Sequence, residues 1–335
     1  MHHVAAEIQG TVVSIEVAAG DAVAARTVVA LLEAMKLHHE VRAGTDGVVA
    51  DVHVAVGQTV APGMRLLTVA PGEVLPPVSD TGGNDTGERA DLAAVAERHA
   101  IGLDAARPEA VAKRHATGRR TARENIADLI DPGSLVEYGP LAIASQHRRR
   151  GHDDLVRRTP GDGAVGGVAT VNGHRVAVFS YDYMVLAGTQ GHRNHLKKDK
   201  LFAVAAELEL PVVLFAEGGG GRPGDTDTGY ITGLGDPAFR LLAGLAGQVP
   251  LVGVTAGYCF AGNAALLGAC DVVIATRDSY TGMGGPAMIE GGGLGTYAPT
   301  DVGPADVQYA NGVIDLLADD EAHATALAKQ YLGYF

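Results

Sequence analysis

The sequence has few cysteines, no excess of positive charge and no long uninterrupted apolar run. Two cysteines in 335 residues, Cys259 and Cys270, are too few for a disulfide framework, so we expect free thiols in a reducing compartment. A formal charge of -13 at pH 7 disfavours nucleic acid and anionic membranes as partners. The longest apolar stretch is interrupted by Glu207, Glu209 and Pro211, and no signal-like segment opens the chain. These absences predict a cytoplasmic protein that binds neither nucleic acid nor membrane.

What the sequence does contain is an internal repeat near its start. Residues 10–24, GTVVSIEVAAGDAVA, match residues 47–61, GVVADVHVAVGQTVA, at seven of fifteen positions. Apolar and polar residues alternate in each copy, and a turn is expected at Gly20 and at Gly57. The repeat predicts two β-meanders that form a flattened all-β sandwich with internal two-fold symmetry over residues 1–70.

Between the two copies, the segment EAMKL places Lys36 where a hairpin is expected to join the halves. Turns ordinarily use Gly, Asn, Asp or Pro, and this segment has none of them, so the tip is not explained by turn geometry alone. A solvated turn lysine is the alternative interpretation. His38, His39 and Glu40 follow, but adjacent histidines on a strand point to opposite faces, so no metal site is predicted.

The Ala-Met-Lys sequence and its flanking repeat resemble the biotinyl domain of biotin-dependent carboxylases and decarboxylases over residues 4–70. By that resemblance Lys36 is the lysine to which a biotin protein ligase attaches biotin, while Leu37 replaces the family's second methionine. A lipoyl domain shares the fold, but its lysine usually follows an aspartate, whereas Lys36 follows Met35. The resemblance therefore implies covalent biotin on Lys36 as the cofactor.

A segment rich in Pro, Gly, Asp, Ser and Thr follows and predicts a flexible linker over residues 71–88. In residues 89–335 helical and strand patterns alternate, which is typical of an α/β fold with buried, parallel strands. Thr121 and Glu124 have the spacing of a capping box, and Asn172-Gly173 indicates a tight hairpin turn. The sequence thus predicts a multidomain chain with a carrier domain, a linker and an α/β domain.

Two predicted strands run directly into segments of small residues, EGGGGRPGD from Glu217 and GYCFAGNAA from Gly257. Open α/β sheets place ligands at the carboxyl ends of their strands, and glycine lets backbone N–H groups approach a ligand closely. Two such loops can form an oxyanion hole, although a merely flexible loop is the alternative. Neither the ending of a phosphate loop nor a nucleophile elbow is present. The site is therefore expected to use backbone donors.

Successive blocks of the second domain, among them PVVLFAEGGGGRPGD, GYCFAGNAALLGACDVVIA and SYTGMGGPAMI, resemble the carboxyltransferase β subunit of acyl-CoA carboxylases. That family has a crotonase-like (ClpP/crotonase) fold and holds the thioester enolate of an acyl-CoA with paired main-chain N–H groups. The resemblance implies an oxyanion and thioester site formed by Gly219, Gly220, Ala261 and Gly262. Candidate contacts to CoA are Lys197, Lys200, Arg222, Gly284 and Gly285.

Several positions depart from this family pattern, and others have an alternative role that the sequence does not decide. Gly218 and Gly221 replace a serine and an alanine of the family pattern, so the resemblance does not assign the residues that form the acyl pocket. The lysines lie on a predicted helix whose solvated face is an equal alternative to a CoA site. His192 and His195 are one helical turn apart without a nearby carboxylate in the sequence, so we expect structural or surface roles.

The resemblance implies transfer of a carboxyl group from Lys-linked carboxybiotin to the α-carbon of an acyl-CoA of the acetyl-CoA or propionyl-CoA type, with biotin itself as the base. The α/β domain resembles the first of two crotonase-like halves. Expected partners are therefore a biotin carboxylase subunit and either a second half or further copies of this chain. The alternatives are a non-catalytic carrier that also binds acyl-CoA, and a subunit of a biotin-dependent decarboxylase.

Overall fold

The computed structural model describes residues 1–34, 37–72, 89–227 and 236–335. These residues form two compact units, Met1–Arg89 and Ala90–Phe335. Lys36 and residues 73–88 of the predicted linker lie outside the described part of the chain. Among the described helices, none combines the length and the apolar character needed to cross a membrane.

The first unit is built from β-strands that form two four-stranded sheets with antiparallel pairings throughout. Its strands are β1 (His2–Ala5), β2 (Gly10–Ile15), β3 (Ala22–Val23), β4 (Val28–Ala34), β5 (Leu37–Arg42), β6 (Gly47–Val52), β7 (Thr59–Val60) and β8 (Arg65–Pro71). One sheet has the order β1-β8-β6-β3 and the other β5-β4-β2-β7. Their apolar side chains share one core, which includes Val12, Leu32 and Val69.

The predicted two-fold symmetry of this unit is confirmed. The pairs β2 and β6, β3 and β7, and β4 and β8 each begin 37 residues apart. A Cβ on Gly10 would lie 2.7 Å from the carbonyl oxygen of Glu33, and one on Gly47 would lie 2.2 Å from that of Ala70, so both copies require glycine at the same close approach. However, β2 pairs with β7 and β3 with β6, so the two copies interleave within the sheets, and the prediction that each copy forms a β-meander is wrong.

The second unit is built on a seven-stranded mixed sheet. Its strands are β9 (Val136–Glu137), β10 (Ala164–Val171), β11 (His174–Tyr181), β12 (Val212–Phe215), β13 (Leu251–Thr255), β15 (Val272–Thr276) and β17 (Leu316–Ala318). The order is β17-β15-β13-β12-β11-β10-β9, with β11 to β17 parallel and the β9–β10 and β10–β11 pairs antiparallel. A separate parallel pair is formed by β14 (Tyr258–Phe260) and β16 (Tyr280–Gly282).

Helices of this unit cover the sheet and connect its strands. They are α1 (Ala90–Ala100), α2 (Pro108–His115), α3 (Ala122–Leu129), α4 (His152–Arg158), α5 (His192–Glu207), α6 (Ala238–Leu245), α7 (Gly262–Leu267), α8 (Pro286–Gly291), α9 (Ala305–Ala310) and α10 (Glu321–Leu332). Val212 and Leu214 of β12 belong to one apolar core, whereas Val213 and Phe215 belong to a second. Both faces of the strand are therefore buried, which explains its continuous apolar sequence.

Two local predictions for this unit are confirmed. The hydroxyl of Thr121 accepts the N–H of Glu124 while the Glu124 carboxylate accepts the N–H of Thr121, which is a capping box at the start of α3. Asn172 and Gly173 have positive φ angles of 53° and 81° and connect β10 to β11, as a two-residue hairpin turn requires.

Candidate active site

The candidate biotin site of the first unit is bounded by the hairpin of β4 and β5. Ala34 pairs with Leu37 at the end of this hairpin, and Lys36 lies between them in the sequence, outside the described residues. Leu37 is 64% exposed, and the next three residues of β5 are exposed as well. The described residues that follow Lys36 in the sequence are thus accessible to solvent, which suits the neighbourhood of a residue that carries a covalent group. In the described part of the chain, no cluster of His, Cys, Asp and Glu side chains is arranged to hold a metal.

The two small-residue segments of the second unit converge, as the sequence predicts. We call residues 217–221, which follow β12, the glycine loop. The N–H of Gly218 donates to the carbonyl of Tyr258 at 2.7 Å, and the N–H of Phe260 donates to the carbonyl of Gly218 at 2.9 Å. These two bonds attach the glycine loop to β14, which leads directly into α7. The carboxyl ends of β12 and β13 therefore supply the two halves of one site.

Gly220 lies against the start of α7. A Cβ on Gly220 would lie 2.6 Å from the Cβ of Ala261 and 3.5 Å from the backbone nitrogen of Gly262. Gly220 has a φ of 84°, where only glycine is unstrained, and Ala261 has a φ of 52° although it carries a Cβ. The close approach of the two segments thus requires glycine at position 220, and the backbone is strained at position 261.

Replacing Gly220 with Ala is expected to lower the free energy of unfolding by about 3 kcal/mol, because the new methyl group adds both overlap with Ala261 and backbone strain. In an Ala261→Gly background the overlap is gone, so about half of that loss should return. Urea unfolding of the two single variants and the double variant measures this coupling. Simple additivity of the two substitutions would contradict the contact.

The four predicted oxyanion residues do not have equivalent N–H groups. The N–H of Gly220 donates to Oδ1 of Asn263 at 3.1 Å, and the N–H of Ala261 donates to the carbonyl of Gly282 at 3.0 Å. Within the part of the chain that the structure describes, the N–H groups of Gly219 and Gly262 have no acceptor. Gly219 is exposed and Gly262 is half-buried, so both residues are at least partly accessible to solvent. They are the pair that remains for a ligand oxygen.

Two of the predicted CoA contacts are buried in internal interactions. Nζ of Lys197 donates to the carbonyl oxygens of Gly161 at 3.0 Å and Ala164 at 2.5 Å, so it lies neither on a solvated helix face nor beside an external phosphate. The Arg222 guanidinium contacts the buried carboxylate of Asp162, and its NH2 group donates to the carbonyl of Thr189 at 2.8 Å. Both assignments to CoA are corrected, because their donors are already satisfied inside the protein.

The remaining candidates for CoA stay accessible. Lys200 is exposed on α5, in contrast to Lys197 on the same helix. Gly284 and Gly285 lie just before α8, and a Cβ on Gly285 would lie 3.4 Å from the ring of Phe260, which precedes Ala261. The segment that contains both glycines is therefore adjacent to the start of α7, where the candidate donors are.

His195 has a carboxylate partner that no local sequence pattern indicates. Its Nδ1 lies 2.9 Å from Oδ2 of Asp236, and both side chains are largely buried. Asp236 is 41 positions further along the chain (236 − 195), and no local spacing indicates the pair. Hydrogen bonding and charge from His195 hold the pKa of the Asp236 carboxyl below its usual value, although burial acts in the opposite direction. His195 is therefore a buried, paired histidine rather than a surface residue.

A buried ion pair that sequence reasoning missed supports the start of the glycine loop. Arg114 donates from NH1 to Oε1 of Glu217 at 2.9 Å and from NH2 to Oε2 at 2.6 Å, and Glu321 lies 3.7 Å from the same NH2. Burial raises the pKa of the Glu217 carboxyl to about 7, although Arg114 opposes this change. Burial alone would lower the pKa of Arg114, but Glu217 and Glu321 raise it on balance, so the arginine stays charged. The carboxylates of Glu217 and Glu321 thus both interact with the Arg114 guanidinium at the start of the glycine loop.

This arrangement predicts a pH-dependent stability. Glu217 binds a proton more tightly in the folded chain, where its pKa is about 7, than in the unfolded chain, where the ordinary value of 4.5 applies. Its contribution to stability is therefore present below the unfolded value and is lost as the pH rises through about 7. Relative to a Glu217→Gln variant, the wild type should lose thermal stability between about pH 5 and about pH 8. Parallel melting curves for the two proteins across that range would contradict the assignment.

The two cysteines are free, as predicted, and neither is suited to nucleophilic attack. Cys259 is fully buried in β14, and burial raises the pKa of its thiol far above the usual range. Burial also raises the pKa of the Cys270 thiol to about 12. The candidate site therefore offers backbone N–H groups rather than an activated thiol.

Comparison with known families defines the class of protein to which this arrangement belongs. The model of the carboxyl transferase domain family matches residues 113–335, about two thirds of the chain, and the chain belongs to this family. Residues 3–69 match the family described as a biotin-requiring enzyme, which is the domain that carries biotin. A biotin-requiring domain and a carboxyl transferase domain are therefore joined in one chain, as the resemblance in the sequence implies.

Individual relatives agree with this class. The chain is 32% identical over 217 residues to the biotin-dependent long chain acyl-coenzyme A carboxylase beta4 subunit of Mycobacterium tuberculosis, covering 64% of this chain and 39% of the relative. It is 30% identical over 219 residues to the methylmalonyl-CoA carboxyltransferase 12S subunit of Propionibacterium freudenreichii subsp. shermanii, covering 64% and 40%. The chain thus spans about two fifths of the length of these curated relatives.

Solved structures show the same similarity. A single-chain, multi-domain long-chain acyl-CoA carboxylase is 54% identical with a TM-score of 0.72, and the match covers 99% of this chain and 32% of that one. The transcarboxylase 12S structure with methylmalonyl-coenzyme A and methylmalonic acid bound is 25% identical with a TM-score of 0.61, covering 73% and 48%. The first match extends over both units of the chain described here.

Proposed function

We propose that this chain transfers a carboxyl group from biotin on Lys36 to the α-carbon of an acyl-CoA, as the carrier and carboxyltransferase part of an acyl-CoA carboxylase. The observation that carries the proposal is that the N–H groups of Gly219 and Gly262 have no acceptor among the described residues and lie in the segments where the carboxyl ends of β12 and β13 converge. The similarity to carboxylases with a carboxyl transferase domain supports it. The second unit is, on this proposal, a crotonase-like domain, and residues 1–70, 71–88 and 89–335 are carrier, linker and carboxyltransferase half.

The two N–H groups would donate hydrogen bonds to the thioester oxygen of the acyl-CoA. Negative charge grows on that oxygen when the α-proton leaves, so donors that are already fixed there stabilise the enolate more than the bound substrate. Biotin, when bound, supplies the activated carboxyl group and the base that removes the α-proton. The chain then has to hold and orient the thioester, which agrees with a site made of backbone donors.

The substrate proposed is an acyl-CoA with a long acyl group in preference to the acetyl-CoA or propionyl-CoA type. The solved relative with 54% identity is a long-chain acyl-CoA carboxylase. Next to Gly284 and Gly285, the exposed apolar side chains of Met283, Met288 and Leu294 offer a surface for such a group. Lys200 is the basic side chain proposed to meet a phosphate of CoA.

The proposed partners follow from what the reaction needs and from the relatives. A biotin protein ligase would load Lys36, and a biotin carboxylase would supply the activated carboxyl group. Because the curated relatives are more than twice as long as their matched part, a second carboxyltransferase half or further copies of the chain are proposed to complete the site.

The test loads the full chain with biotin and supplies biotin carboxylase, ATP and radiolabelled bicarbonate. Acyl-CoAs of increasing chain length are then added, with and without a chain that represents the second half. Labelled carboxyacyl-CoA is the expected product, with the highest kcat/KM for long acyl groups. A chain that is loaded with label but transfers none to any acyl-CoA in either arm would contradict the proposal and leave a carrier module.

A further inference from the structure

Asn263, the second residue of α7, is fully buried and makes four hydrogen bonds. Its Oδ1 accepts from the N–H of Gly220 at 3.1 Å and from Nε2 of Gln190 at 2.9 Å. Its Nδ2 donates to the carbonyl oxygens of Glu217 at 3.0 Å and Gly188 at 3.2 Å. An asparagine side chain has two donors and two acceptor lone pairs, so its capacity is filled. Asn263 therefore holds two separate points of the glycine loop.

Gln190 and Lys198 extend these bonds into the interior. Nζ of Lys198 donates to Oε1 of Gln190 at 2.6 Å and to the hydroxyl of Tyr181 at 3.2 Å. Because an ammonium group can only donate, Gln190 must present its oxygen to Lys198 and its nitrogen to Asn263. The lysine thus sets the direction of both amides. We call Lys198, Gln190 and Asn263 the amide relay, and it ends at the N–H of Gly220.

A charged lysine is costly to bury, so its place in the relay calls for a reason. Lys198 is fully buried, and no carboxylate among the described residues forms an ion pair with it. The groups that contact it or act on its charge are the Tyr181 hydroxyl of β11, Asp199 of α5 and Asp236 before α6, and Asp236 in turn pairs with His195. Burial lowers the pKa of the Lys198 ammonium to about 8, while Asp236 and Asp199 act in the opposite direction. A buried ammonium without an ion-pair partner does not by itself stabilise the fold. Sites that stabilise negative charge, in contrast, do contain buried positive groups.

We propose that Lys198, Gln190 and Asn263 are positioning residues that fix the glycine loop so that the N–H of Gly219 is held beside that of Gly262. The relay binds the N–H of Gly220 and thereby leaves its neighbour as the donor for a ligand. The positive charge of Lys198 fixes the orientation of both amides, and as a buried charge it also adds directly to the electrostatic potential that favours an anionic oxygen at the loop. This inference rests on the proposed function for the role of the two donors, but the structural coupling is measurable without it.

The first experiment measures the relay in the full chain without ligand. Lys198→Met keeps the length of the side chain and removes its donor, and Gln190→Glu keeps the acceptor for Lys198 and removes the donor to Asn263. Amide hydrogen exchange of Gly220, followed by NMR, should become at least about tenfold faster in both variants, while exchange in β10 and β11 stays unchanged. Gln190→Glu also creates an ion pair with Lys198, which offsets part of the cost of the lost bond to Asn263, so this variant should remain folded at the temperature of the measurement.

The second experiment separates positioning from a merely structural role by kinetics. For carboxyl transfer to acyl-CoA, both variants should lower kcat about 100-fold and change KM little, because the donors act mainly in the transition state. The wild type should lose kcat as the pH rises through about 8, where the Lys198 ammonium loses its proton, and Lys198→Met should lack that loss. Lys113→Met, the same change at an exposed position of α2, should behave as the wild type.

Unchanged Gly220 exchange in folded Lys198→Met and Gln190→Glu proteins would overturn the inference, as would an alkaline loss of kcat that persists in Lys198→Met. If the wild type transfers no carboxyl group at all, the proposed function fails, yet the exchange experiment still decides whether the relay holds the loop.

Discussion

A Lys36→Arg variant is expected to carry no biotin and to show no carboxyl transfer. Arginine keeps the positive charge and a similar length, but its guanidinium does not form the amide bond through which biotin would be attached. The sequence contains six lysines, of which Lys197 and Lys198 are buried, so assigning the attachment point by mass spectrometry of the intact protein and its peptides is simple. The mass increase of one biotin should appear in the wild type and be absent from the variant.

Lys113→Arg is the matched control, because Lys113 is an exposed lysine of the other unit. This variant should be biotinylated and active like the wild type. Biotin found on a lysine other than Lys36, or full loading of Lys36→Arg, would contradict the assignment of the carrier residue.

A Gly262→Val variant is expected to lose carboxyl transfer by about 1,000-fold, close to the loss of an oxyanion donor. A Cβ at this position would lie 2.9 Å from Nε2 of Gln190 and 3.4 Å from the ring of Phe239. The branched side chain of valine adds two further methyl groups there, so the start of α7 has to shift or the thioester oxygen is excluded. Gly262→Ala should show a smaller loss of the same kind. Steady-state kinetics with the preferred acyl-CoA provides the measurement.

Gly244→Val is the control for this substitution. Gly244 lies in α6, and a Cβ there meets no atom within 4 Å, so activity should be unchanged although the same residue is replaced within a helix. If Gly262→Val is folded and retains wild-type kcat/KM, Gly262 does not lie at the thioester oxygen.

The sequence predicts well those features that repeat or that depend on neighbouring residues. The 37-residue repeat predicts the two-fold symmetry of the first unit, because equivalent strands need the same alternation of apolar residues and the same glycine at close approach. The Asn172-Gly173 turn and the capping box of Thr121 are likewise local, and both are confirmed. Strands that end in small residues predict the convergence of the two loops, since parallel strands present their carboxyl ends at one edge of the sheet.

Features that depend on distant side chains could not be predicted in the same way. Lys197 and Lys200 lie three residues apart on one helix, yet one is buried and the other exposed, because packing of α5 on the sheet decides which faces are covered. Arg114 meets a glutamate 103 positions away, and Gln190 meets an asparagine 73 positions away. No spacing in the sequence indicates such pairs, and the second pair orients the Asn263 side chain that binds the N–H of Gly220.

The most direct test of the account is a single-turnover experiment on the biotinylated full chain. The biotin, proposed to be on Lys36, is loaded with a radiolabelled carboxyl group, excess label is removed, and a long-chain acyl-CoA is added together with a chain that represents the second carboxyltransferase half. We expect the label to move to the α-carbon of the acyl-CoA in the wild type and to stay on the protein in Gly262→Val. Equal transfer by the two proteins, or loss of the label from the wild type without any labelled acyl-CoA, would contradict the central claim that the convergent loops hold the thioester.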